Sequence, residues 1–303
     1  MKFRVWIILV TVVALLSVVI SRYIVLPHRN KITHLTAKVP LPSPLAANLP
    51  LPKRYDHIVL IIMENKPSAS LLNSSNAPFI NHLIKNYTLV PNYSAVANPS
   101  LPNYLALIGG STFGVTSDCT SCYINAPNLV DSLENKGLSW KAYMESMPQP
   151  CFVGSAGLYA QKHDPFVYFD NIRTNSTKCD KVVPLDQLSQ DLNSTNTPNF
   201  IWITPNLCHD MHDCSITEGD TWLSQEVPGI LNSSIFTSQN SLLILTFDEG
   251  DASDNRILTI LIDPKKKIQV GNGPFSHYSL LHSIENYWNL PTLTNNDASA
   301  PTF

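Results

Sequence analysis

The chain has 303 residues, a formal net charge of -3 and an apolar fraction of 44%, enough for a sizeable core in one large α/β domain or two small ones. No Lys/Arg-rich run stands out, which excludes a protein that tracks a nucleic-acid backbone, so no nucleic acid is expected as a partner. Twenty-three prolines outnumber eleven glycines, and many of them fall in 40–52 or just after apolar runs.

Lys2 and Arg4 precede Val5–Ile20, an apolar run interrupted only by Thr11 and Ser17, and Ser21 and Arg22 separate it from Tyr23–Leu26. A cleaved signal peptide has a shorter apolar core and small residues at its cleavage site. No such site follows Ile20, so 1–26 reads as a retained transmembrane anchor in preference to a cleaved signal. Phe3 and Tyr23–Leu26 extend the span towards the roughly 20 residues a bilayer requires. Residues 27–53, with Pro40-Leu-Pro-Ser-Pro44 and Leu49-Pro-Leu-Pro52, read as a Pro-rich, semi-rigid linker. Basic residues flank the apolar run on both sides and do not set its orientation. Six cysteines (Cys119, Cys122, Cys151, Cys179, Cys208 and Cys214) and six Asn-x-Ser/Thr sequons (Asn73, Asn86, Asn92, Asn175, Asn193 and Asn232) all lie C-terminal to it. The expectation is a domain held outside the membrane, or secreted if the N-terminal segment is cleaved.

From residue 54 to 303 strand and helix patterns alternate. His57–Met63 is a continuous apolar run, the pattern of a strand buried on both faces. Ala77–Lys85 reads as a helix, Leu89–Val96 as a strand and Pro102–Ile108 as a helix behind a proline. Leu129–Lys136 and Leu138–Met144 give a further helix and strand. The stretch 146–198 is polar and weakly patterned, and is taken as an insertion or lid. Asn199–Thr204 and Leu242–Phe247 are short buried strands with the helix Thr221–Leu231 between them. Arg256–Ile262 reads as a strand and Ser279–Trp288 as a closing helix. The alternation predicts an α/β domain with a mostly parallel central sheet and helices on both faces.

Ligands of such sheets bind beyond the carboxyl ends of the strands, and polar clusters fall at those ends. Glu64-Asn65 follows His57–Met63, Asp248-Glu249 follows Leu242–Phe247, and Asn98-Pro99-Ser100 follows Leu89–Val96. A carboxylate just beyond a buried strand needs a partner. A divalent cation shared by Glu64, Asp248 and Glu249, with Asn65 adding a neutral oxygen, supplies one; helix caps and surface turns are the alternative. Ser100 stands at the start of a helix, where backbone N–H groups favour an anion, which suits a nucleophile and the phosphoryl oxygens it attacks. Asn103, one turn on, could donate to a phosphate oxygen. After Asn199–Thr204, the loop to Cys214 packs His209, Asp210, His212 and Asp213 into five positions. It suggests substrate positioning and protonation of a leaving group. A disulfide between Cys208 and Cys214 is plausible there. Cys119 and Cys122 could pair locally or with other cysteines, and Cys151 with Cys179 would close the 146–198 segment. His277, opening the last helix, is a phosphate or metal contact or a helix cap.

Taken in order, His57-Ile-Val-Leu-Ile-Ile-Met-Glu-Asn65, Pro99-Ser-Leu-Pro-Asn-Tyr-Leu-Ala106, Thr204-Pro-Asn206 through His212-Asp213, Gly219-Asp-Thr-Trp-Leu223, Thr246-Phe-Asp-Glu249 and Ser276-His-Tyr-Ser279 resemble the phosphoesterase family of bacterial acid phosphatases and non-specific phospholipases C. The resemblance implies a three-layer αβα fold of the alkaline-phosphatase type. It also implies one divalent metal ion (magnesium, manganese, calcium or zinc) on Glu64, Asn65, Ser100, Asp248 and Glu249, with Ser100 phosphorylated transiently. It further implies a substrate or acid role for His212 and Asp213, with His212 the catalytic candidate, while Asn103, Asp210 and His277 are candidate substrate contacts from their positions alone. Asn98 stands where many relatives carry histidine, and no second metal-ligand set is evident. Tyr104 breaks the sulfatase signature, which places arginine there.

The expected activity is therefore hydrolysis of a phosphate monoester, either a small molecule or a lipid head group. A phospholipase C-type diesterase is the alternative within enzymes, and a non-catalytic surface glycoprotein the alternative outside them.

Overall fold

The computed structural model describes residues 55–251 and 253–303. The anchor and linker expected within 1–53 lie outside the described residues. No helix among those described is long and apolar enough to cross a membrane.

The strands are β1 (His57–Met63), β2 (Thr88–Leu89), β3 (Trp140–Met144), β4 (Val182–Pro184), β5 (Phe200–Thr204), β6 (Ser241–Phe247) and β7 (Thr259–Ile262). They form one sheet in the order β2-β7-β6-β1-β5-β3-β4. From β6 to β4 every pairing is parallel, and β7 and β2 close one edge antiparallel. The longer helices are α1 (Pro78–Asn86), α2 (Ser100–Gly109), α3 (Leu129–Asn135), α4 (Ile216–Leu231) and α5 (His277–Trp288). Every residue of β1, β5 and β6 is buried, so both faces of the sheet are covered, as their unbroken apolar sequences require. This is the three-layer α/β arrangement that the strand–helix alternation predicts.

Local chemistry explains where elements start. Asn128 caps α3 reciprocally with Asp131, and Ser215 caps α4 by accepting the Glu218 N–H, which starts that helix five residues before the expected Thr221. Asp220 of α4 accepts the N–H groups of Phe79 and Ile80 at 2.9 and 2.8 Å, so one helix caps the first turn of another.

Three segments differ from expectation. The strand expected over Arg256–Ile262 forms only at Thr259–Ile262, and Arg256 keeps an isolated bridge to Ser94. Of Leu89–Val96 only the first residue joins a ladder. Pro91 offers no N–H and Asn92 turns into the left-handed region (φ 49°), so Tyr93 and Ser94 are left with isolated bridges to Phe275 and Arg256. The stretch 146–198 is part of the domain body. It contributes the edge strand β4, and Phe166 is buried between Trp140 (5.3 Å, stacked) and Trp202 (5.3 Å, edge-on). Disulfides Cys119–Cys122, Cys151–Cys179 and Cys208–Cys214 are all formed.

Candidate active site

The three central strands set the site. β1 and β6 pair in register through Met63 and Phe247, their last residues, so Glu64 and Asp248 leave the sheet side by side. The Asp248 N–H donates to the Met63 carbonyl (2.9 Å), and the Glu64 N–H to the Asp210 carbonyl beyond β5 (2.8 Å). Asn65 takes a left-handed turn (φ 53°), which asparagine tolerates, and its N–H donates to Asp248 Oδ1 at 3.1 Å.

Ser100 is the first residue of α2, a helix buried along its whole length. Its hydroxyl donates to Glu64 Oε2 at 3.1 Å. The other Glu64 oxygen accepts from the Tyr104 hydroxyl, one turn along α2, at 2.5 Å. The next N–H after Ser100, that of Leu101, is already taken by Asp118 Oδ1 (3.0 Å). Asn103 binds its own loop: its oxygen accepts from the N–H groups of Val96 (3.1 Å) and Ala97 (2.9 Å), and its amide donates to the carbonyls of Ala97 (3.0 Å) and Pro99 (3.2 Å). It thereby fixes the approach to Ser100, with Glu249 Oε2 at 3.5 Å.

His163 is central to the site, although the sequence pattern gave no sign of it. Its ring stacks on Tyr104 (5.4 Å, 14°) and lies between Glu64 and Asp210, with Nε2 at 3.3 Å from Glu64 Oε2 and Nδ1 at 3.2 Å from Asp210 Oδ2. Burial, reinforced by the charge of Lys162, holds the imidazole neutral, well below the usual histidine range. His212 faces the same point: Nδ1 lies 2.7 Å from Asp213 Oδ1, and Nε2 lies 3.0 Å from Lys162 Nζ. Since Asp213 can only accept and Lys162 can only donate, the ring proton sits on Nδ1. His209 points elsewhere, onto Glu145 at 2.8 Å. His277 is wholly buried beneath Asp248, with Nε2 at 2.5 Å from its carbonyl and Nδ1 at 3.1 Å from the Tyr93 hydroxyl. Burial pushes its pKa down to about 4.

Glu64, Asp210, Asp248 and Glu249 thus bring four buried carboxyls together. Burial, then the charges of Asp248 and Asp210, hold the Glu64 carboxyl well above the usual range. Burial likewise pushes Asp210 up to about 8 and Asp248 up to about 6. For Glu249 burial, followed by Asp248, raises it to about 8. Asp248 Oδ2, Asp210 Oδ2 and His163 Nε2 are buried without an aligned hydrogen bond, and orphaned polar atoms of this kind are costly. Ligand atoms of Glu64, His163 and His212 lie within 4.8 Å of one another. Carboxylate oxygens and neutral imidazoles are donors for a divalent cation, so this residue set fits one.

A serine on a buried helix N-terminus, facing clustered carboxylates and imidazoles at the carboxyl ends of a parallel sheet, defines a hydrolase of the phosphoester class. The sequence pattern of the Phosphoesterase family matches residues 63–291, and the chain belongs to that family. A phosphatidylinositol-3-phosphatase of Mycobacterium tuberculosis is 35% identical over 242 residues, 78% of each chain. An acid phosphatase of Aspergillus fumigatus is 33% identical over 228 residues, 70% of this chain, which spans 51% of that longer protein. Among solved structures, an alkaline-phosphatase-superfamily protein from Vibrio parahaemolyticus superposes with a TM-score of 0.55 at 11% identity, covering 82% of this chain and 71% of its own. The fold is that of the alkaline-phosphatase superfamily, the chain is a hydrolase of phosphate esters, and the family implies a divalent metal.

Proposed function

We propose that this chain is a metal-dependent phosphomonoesterase working through a phosphoserine at Ser100, with its catalytic domain outside the membrane. The observation that carries the reading is the Ser100 hydroxyl at 3.1 Å from Glu64 Oε2, among buried carboxyls of which Asp210 Oδ2 and Asp248 Oδ2 have no hydrogen-bond partner. Glu64, Asn65, Ser100, Asp248 and Glu249 would hold one divalent ion, magnesium, manganese, calcium or zinc, and Asp210, His163 and His212 complete the surround. When bound, the ion supplies positive charge against the phosphoryl oxygens and the carboxylates. Ser100 Oγ attacks phosphorus as its proton passes along the hydrogen bond towards Glu64, and the ester oxygen leaves. Water then cleaves the phosphoserine, releasing inorganic phosphate and restoring the serine. His212 stands on the open side with its Nε2 accepting from Lys162, so the departing oxygen takes its proton from solvent water there. The proton held by Glu64 returns to Ser100 when the phosphoserine is cleaved. Asn103 and His277 position the loops that carry Ser100 and Asp248.

Support for a monoester comes from relatives named as phosphatases, one of them a phosphatidylinositol-3-phosphatase. Location outside the membrane is supported by three disulfides, by exposure of all six sequon asparagines, and by the apolar N-terminal run of the sequence. Ser100→Ala should abolish turnover of a chromogenic aryl phosphate while leaving the thermal transition in place; retained turnover overturns the assignment. Equal rates on an aryl phosphodiester would move the substrate class to a phospholipase C type.

A further inference from the structure

The four carboxyls of the site raise a problem of charge. A divalent ion offsets two negative charges, and the substrate brings up to two more, so a cation at the mouth is needed to admit a phosphate. Among the described residues two ammonium groups face the cluster. Lys66 is set into the backbone, with Nζ on the carbonyls of Met211 (2.7 Å) and Asn65 (3.3 Å), where it ties the β1 turn to the Cys208–Cys214 loop. Lys162 is different. It follows from a single 3-10 turn, Gln161–His163, that buries His163 between Glu64 and Asp210 and leaves the preceding side chain 22% exposed.

Its two partners are both side chains. Nζ donates to Asp118 Oδ2 (3.0 Å) and to His212 Nε2 (3.0 Å). Asp118 in turn accepts the Leu101 N–H at the first turn of α2, which fixes the ammonium relative to Ser100. His212 is held in the accepting tautomer by Asp213. An ammonium has three hydrogens, and these partners use two. The charge of Lys162 is felt by Asp210, Glu249 and His163, all buried within the site.

We propose that Lys162, aimed by Asp118 and His212, is the substrate-binding cation that donates its third hydrogen to a non-bridging oxygen of the phosphoryl group. The assignment rests on the phosphoesterase reading of this same site. It also gives His212–Asp213 a second duty, as a prop that orients the lysine.

The test uses the full chain loaded with its divalent ion, an aryl phosphate as substrate and inorganic phosphate as competing ligand. Lys162→Met and the more polar Lys162→Gln should each weaken inhibition by inorganic phosphate about ten- to hundredfold, the range for loss of one charge-assisted hydrogen bond. KM should rise in the same proportion, and metal content should stay unchanged. Lys162→Arg should recover a large part of the phosphate affinity, which a merely structural role would not predict. A wild-type enzyme that turns over the ester, together with neutral variants whose phosphate inhibition shifts less than twofold, overturns the lysine assignment alone. A wild type that neither hydrolyses the ester nor binds phosphate overturns both readings.

Discussion

Glu285 shows how much a single enclosed carboxyl can do to a domain. It lies on the buried face of α5, and neither of its oxygens accepts a hydrogen bond. Burial, followed by the adjacent Asp297 carboxylate, pushes it up to about 9. An ordinary glutamate ionises near pH ~4.3, so the folded chain holds this proton more tightly than the unfolded one does. The stability penalty is absent below the unfolded value, grows as pH rises and levels off above the folded value. Glu285→Gln should therefore be close to neutral at pH 4–5 and stabilising by about 1–3 kcal/mol at pH 8. Urea unfolding at both pH values checks this; a gain that does not widen with pH would contradict it. The site residues divide along a related line. Glu64 and Asp248 were legible because a charge directly after an apolar strand is conspicuous. His163 and Lys162 were not, because they sit in a short turn with no helical or strand period. Only the dense aromatic run Phe166–Phe169 just after them hinted that this stretch is buried.

Between elements, the closest fit is that of α4 against the loop bearing Asp210 and His212. A Cβ on Gly219 would meet Met211 Cγ at 2.4 Å and the His209 carbonyl oxygen at 2.8 Å. The same helix caps α1 through Asp220, so it cannot retreat without loosening a second element. Gly219→Ala should push the loop outwards. The expected result is a loss of about 1–3 kcal/mol in stability and roughly a tenfold or greater fall in kcat/KM, since small misplacements of positioned groups cost rate steeply. Turnover and thermal unfolding of the variant measure the two effects separately, and an unchanged kcat/KM would show that the loop accommodates the methyl group. A glycine inside a helix is visible in a sequence, but what it touches is not: the contact joins residues eight and ten positions apart through a disulfide-closed loop. The same limit explains the segment Leu89–Val96, where apolar content suggested a full strand while Pro91 and the turn at Asn92 end the ladder after one residue.

At the scale of the whole molecule, the sheet was the most legible feature, because continuous apolar strands separated by helices leave few topologies. What the pattern could not carry is the cost of bringing three strand ends together. β1, β5 and β6 deliver Glu64, Asp210 and Asp248 to one buried point, where burial raises the first well above its usual range, the second to about 8 and the third to about 6. Without an ion, each of these acids disfavours the folded state as pH rises above the ordinary carboxyl range near ~4. The metal-free domain should accordingly lose stability between pH 5 and pH 8, over the interval in which the unfolded chain is ionised and the folded one is not. A bound divalent ion reverses this, since it binds the folded arrangement and must displace protons from it at low pH. At a hundredfold excess over its dissociation constant an ion contributes about 2.7 kcal/mol, which for a domain of this size corresponds to roughly 5–10 °C in Tm. Calorimetry of the chelated protein, titrated separately with magnesium, manganese, calcium and zinc, should show a rise of that order at pH 8 and a smaller one at pH 5. If none of the four raises Tm at pH 8, the carboxyl cluster is not a metal site and its burial needs another explanation.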